Sequence, residues 1–152
     1  MTFTSDEHIA STARRFIDCT LPKPDWTHAA HFAVAIFLLK QDGAVAFETM
    51  PPLIRAYNEA TGVENSDTDG YHETITRASL LAADHVSRSY PAKTALHTIL
   101  TDLLHGKYGR SAWLLEHWRR ETLFSIEARK AWIAPDLKPL GFAPQRKGDP
   151  TA

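Results

Sequence analysis

From Ala29 to Leu39 the chain is apolar at every position except His31. A helix over this stretch has no polar face, so neighbouring elements must cover it on every side. A bundle with this helix at its centre meets that demand, and the fold expected is all-α. The run is roughly half the length needed to cross a bilayer. The first twenty residues carry Asp6, Glu7, Arg14, Arg15 and Asp18 and no long apolar core, so no export signal is expected and the location expected is cytoplasmic.

At 152 residues the chain is long enough to bury a core without staples, and one domain is expected. A 43% hydrophobic and 23% charged composition reads as globular. The formal net charge of −1 gives no electrostatic footprint for nucleic acid or a membrane surface. Cys19 is the single cysteine, which excludes an internal disulfide and any cysteine-rich zinc module.

The remaining pattern is helical and predicts a single-domain bundle of about five to seven helices over residues 1–144, with a disordered tail over 145–152. Ser5 opens a helix reaching residue 18. Asp25, after the stiff Leu21-Pro22-Lys23-Pro24 break, is the expected cap of the apolar helix, which runs to about Lys40. Pro51-Pro52 marks a kink or a fresh start, and Gly62 a stop. A polar loop from Glu64 leads to a helix from about Gly70 to Ser89, with His72, Ile75, Ser79, Ala82, Ala83 and Val86 inward. Helices over 93–104, 112–120 and 125–133 complete the pattern, and no strand is expected.

His28 and His31 share one face of the apolar helix, because residues three apart are neighbours on a helix. His72 falls on the apolar side of its own helix, in the first turn, where the dipole disfavours an imidazolium. Three imidazoles aimed into one interior carry a desolvation cost of about 1–3 kcal/mol for each unpaired group unless a metal, ligand or carboxylate meets them. The expected site is therefore a mononuclear centre on His28, His31 and His72 for a divalent transition metal: zinc, iron or manganese. Glu48, interrupting an apolar patch, is the expected ligand or base, and Tyr57 and Tyr71 are expected to orient substrate. The competing expectation is that each histidine donates to a carbonyl in the core.

Glu73 lies about 100° from His72 around the helix and is better placed to pair with Arg77. Arg55 and the basic loop His105–Arg110 are weaker candidates for contacting an anionic ligand. The loop lacks a phosphate-loop signature. Trp113, Trp118, Phe124 and Trp132 are expected to clamp the C-terminal part onto the bundle, or to form a dimer surface. The Trp26-Thr27-His28-x-x-His31 segment resembles the helix-start histidines of DinB-like metal-binding four-helix bundles. Those bundles carry a late His-x-x-x-His pair that this chain lacks. The resemblance covers one helix and transfers no residue roles.

The function expected is a small metal-dependent enzyme acting by hydrolysis or oxidation on a small organic substrate, an anionic one among the options. The alternative is a non-enzymatic helical ligand-binding or protein-interaction domain. Neither nucleic acid nor membrane is an expected partner, and a homodimer is possible.

Overall fold

The structure, a computed structural model, describes residues 2–142; the expected tail over 145–152 lies outside them. Among the described residues there are seven α-helices and no strand, as an all-α bundle requires. They are α1 (Asp6–Ile17), α2 (His28–Asp42), α3 (Ala46–Ala60), α4 (Glu73–Arg88), α5 (Leu96–His105), α6 (Arg120–Leu123) and α7 (Ile126–Lys130).

The apolar helix α2 is the axis, and α1, α3, α4 and α5 all pack against it. Ala30, Phe32, Ala33, Val34, Ala35 and Ile36 are buried in succession, so burial runs around the whole helix rather than along one stripe. Its cap is Thr27, whose hydroxyl accepts from Ala30 N–H at 3.2 Å. Asp25, the expected cap, instead ends a short 3-10 turn at Lys23–Asp25. Gly43, with φ +58°, closes the helix.

Pro51 and Pro52 lie inside α3 and neither start nor break it. The helical bonds their missing N–H groups forgo would reach four residues back, near the helix start, where few turns are affected. The expected helix over 112–120 is instead a 3-10 stretch, Ser111–Glu116.

The C-terminal segment is fastened by aromatic burial and by hydrogen bonds. Trp113 and Trp118 are buried, and Trp118 Nε1–H donates to the Ile133 carbonyl at 2.8 Å. Trp132 packs edge-on to Trp118. Phe124, expected in this clamp, is 52% exposed. Thr74 at the start of α4 donates to the Ala131 carbonyl at 2.9 Å and accepts from Ile133 N–H at 3.1 Å.

The polar loop between α3 and α4 is organised by Asn65. Its amide donates to the Arg55 carbonyl at 3.0 Å and the Glu59 carboxylate at 3.2 Å. Its oxygen accepts from Asn58 and from Tyr71 N–H, each at 3.0 Å. Gly70 passes beside this hub at φ +78°, and a Cβ there would sit 2.5 Å from the Glu64 carbonyl oxygen. Gly62 has a similar φ of +86° but open space around it. Gly70→Ala should cost about 3 kcal/mol, from left-handed strain plus the clash. Gly62→Ala should cost about 1 kcal/mol, from strain alone. Urea unfolding of both variants checks the difference; equal losses would contradict the close approach.

Candidate functional site

The first turn of α2 presents His28 and His31 on one side, three residues apart, as their spacing requires. They have different environments. His28 Nε2–H donates to the Tyr108 carbonyl at 2.7 Å, and its ring meets Phe32 edge-on. His31 stacks on the Trp26 indole with ring centroids 3.8 Å apart. Its ring nitrogens have no hydrogen-bond partner among the described residues. Burial, with a smaller contribution from His28, lowers its pKa to about 4, so the ring is neutral at physiological pH.

His72 is not in the first turn of α4 but just outside it, as the N-cap, with extended backbone at φ −134° and ψ 109°. Its Nδ1 accepts from Ile75 N–H at 3.1 Å. Its Nε2–H donates to the Leu123 carbonyl at 2.7 Å. The acceptor role of Nδ1 fixes the proton on Nε2. Both nitrogens are thus committed to backbone, which leaves no lone pair for a metal. Among the described residues no group of three histidine, cysteine, aspartate or glutamate side chains converges to hold a metal ion. The expected centre on His28, His31 and His72 is not assembled in this arrangement.

The three expected catalytic side chains are also dispersed. Glu48 is exposed in the first turn of α3, where a carboxylate favours the helix dipole. Tyr57 is fully buried beside Phe16, and its hydroxyl donates to the Leu21 carbonyl at 2.8 Å. Burial raises its pKa. It pins the proline-rich break to α3. Tyr71 lines a cavity bordered by α2, α3 and α4. Its hydroxyl donates to Glu73 at 2.6 Å, and the Arg55 guanidinium lies 4.1 Å from its ring centroid. Burial first, then the Glu73 bond, raises its pKa. Glu73 therefore partners Tyr71, not the expected Arg77, and Arg55 covers an aromatic face.

Two cavities open on either side of His31. The first, about 320 Å³, lies among α2, α3 and α4 and is lined by Met50, Ile54, Asn58, Tyr71 and Thr76 among others. The second, about 460 Å³, lies between α2 and the C-terminal segment, against Phe32, Trp113, Leu114 and Leu123. Trp26, His31, Ile75 and Ser79 line both. Volumes of this size suit small organic ligands, and a mostly apolar wall with a few polar groups is the usual composition of such sites. Among the described residues no hydrogen bond joins His31 to a carboxylate or hydroxyl, the relay used to activate a nucleophile.

Sequence reasoning identified His31 but missed Trp26 and Ser79 as shared walls. Ser79 stood on the inward face of its helix and was readable as core. Trp26 precedes the helix, and its stacking on His31 depends on how the 3-10 turn folds back. No protein-family model, curated protein or solved structure matches the chain.

Replacing His72 separates its two bonds. His72→Asn keeps a side-chain cap and should lose about 1 kcal/mol, whereas His72→Ala loses cap and crosslink and should lose about 2–3 kcal/mol. Equal stability of the two variants in chemical denaturation would contradict the capping role. The lowered His31 pKa also sets a pH dependence. The unfolded chain binds a proton near pH 6.5 that the folded chain refuses until about pH 4. Stability therefore falls as pH drops through that window, by about 2 kcal/mol between pH 7 and pH 5. His72, lowered chiefly by burial, acts in the same direction. Thermal melts at both pH values should show the fall, and His31→Phe should remove most of it.

Proposed function

We propose that the chain is a small-molecule-binding protein whose ligand occupies the two cavities beside His31, in contact with the Trp26 ring. The observation that carries this reading is the His31 imidazole, kept neutral by burial and with no hydrogen-bond partner among the described residues, in the shared wall of two mostly apolar cavities. A neutral imidazole offers a ligand one donor and one acceptor at neutral pH. Its weak basicity suits that role better than proton abstraction, which is most efficient when the base has a pKa near the working pH.

The cavities call for a ligand with an apolar or aromatic body and one polar group directed at His31. Contacts with the edge of Trp26, whose faces are stacked by His31 and Phe16, and with Ile75 supply non-specific affinity, and the His31 hydrogen bond sets orientation. The metal-dependent reaction expected from the sequence would require His72 to release both backbone partners and swing towards α2. It carries its own signature: zinc, iron or manganese near one per chain in purified protein, lost in both His31→Ala and His72→Ala. That result would replace the binding reading.

The direct test uses N-phenyl-1-naphthylamine, a neutral aromatic probe that fluoresces in apolar surroundings and accepts energy from tryptophan. Saturable binding with energy transfer is expected for the folded protein. Ser79→Phe, which adds bulk to the wall of both cavities, should weaken it about tenfold or more while the far-ultraviolet circular dichroism stays helical. Absence of saturable binding to the folded wild type, or binding unaffected by Ser79→Phe, would overturn the proposal.

A further inference from the structure

The two cavities differ in charge. The larger one, between α2 and the C-terminal segment, has Arg120 on its wall, and among the described residues no aspartate or glutamate lines it. The smaller one has Asp69 on its wall and, among the described residues, no lysine or arginine. Arg120 is exposed at the start of α6 and forms no ion pair among the described residues. Its guanidinium lies 5.8 Å from the centroid of the Phe124 ring. Phe124 lines the same cavity and is 52% exposed. A cation and an aromatic side chain thus stand together at the border of an aromatic-walled chamber.

Several arginines have partners within the fold. Arg88 pairs with Asp84 at 3.0 Å, Arg55 covers Tyr71, and Arg129 donates to the Gly70 and Tyr71 carbonyls. Arg120 has the Phe124 ring at 5.8 Å but no carboxylate or carbonyl partner among the described residues. A guanidinium offers a fork of donors matched to a carboxylate or sulfonate.

We infer that the ligand is an organic anion with an aromatic or otherwise apolar body, held with its anionic group at Arg120 and its body against Phe32 and Trp113, the uncharged end reaching past His31 towards the smaller cavity. This rests on the binding reading above and adds the ligand's charge and orientation. Asp69 opposes the reverse placement by like-charge repulsion. The neutral state of His31 lets the body pass without a second charge in the middle of the site.

The test compares two probes that share one aromatic skeleton. The anion 8-anilino-1-naphthalenesulfonate carries a sulfonate; N-phenyl-1-naphthylamine does not. Both are titrated into wild type and Arg120→Gln, followed by energy transfer from tryptophan. Arg120→Gln should weaken the sulfonate probe about fivefold, the scale of a partly solvated charge pair, and leave the neutral probe within about twofold. Arg120→Lys should restore part of the loss, and half-molar sodium chloride should weaken only the sulfonate probe. If Arg120→Gln changes both probes alike, or neither, the anion placement is overturned while the binding reading stands. If neither probe binds the folded wild type, both are overturned.

Discussion

The imidazole of His72, hydrogen-bonded at both nitrogens, is the joint on which the arrangement depends. One nitrogen caps the start of α4 by accepting from Ile75 N–H, and the other donates to the Leu123 carbonyl from the C-terminal segment. Thr74 and Arg129 tie the same corner to the C-terminal segment. That segment forms the outer wall of the larger cavity. Without this joint, α2 and α4 would still pack, but one side of the chamber would lose its fastening. A buried neutral histidine bound to a carbonyl and an amide is stabilising because neither nitrogen is left unpaired.

The same chemistry explains why three histidines with similar sequence settings take different roles. His72 is consumed by backbone. His28 is partly consumed, through the Tyr108 carbonyl. His31 has an indole on its face and cavity space on either side. Burial keeps it neutral and no hydrogen bond from the described residues fixes its tautomer, so its donor and acceptor remain open to a ligand. Which imidazole faces a ligand is decided by what the others have already bonded.

Much of the architecture was legible because it follows from local chemistry. The apolar run from Ala29 to Leu39 could only be a covered central helix, and Ser5, Gly43 and Gly62 stand at helix ends as their conformational preferences demand. The site was only partly legible. That His28 and His31 share a face follows from spacing; that His72 does not join them depends on the Leu123 carbonyl, 51 residues away along the chain. Histidine is also an uncommon N-cap, so nothing local distinguished a capping residue from a first-turn ligand. Tyr57 reads equally well as a substrate contact until the Leu21 carbonyl is placed against its hydroxyl. Asn65 sat in a stretch readable only as polar loop, yet four hydrogen bonds converge on it. For His72 and Tyr57 the deciding partner is remote in sequence; for Asn65 the partners lie six to ten residues away and meet it only once the loop folds back.

The division of labour between His72 and His31 is tested most directly by a long-range proton–nitrogen spectrum of the histidine rings at neutral pH, recorded before and after one equivalent of zinc. His72 should show a single tautomer protonated at Nε2, with nitrogen shifts unmoved by the metal. His31 should appear neutral and free of any shift shared with His72. Concerted movement of the His28, His31 and His72 nitrogens on adding zinc would show that the three rings form one centre, and would contradict the account.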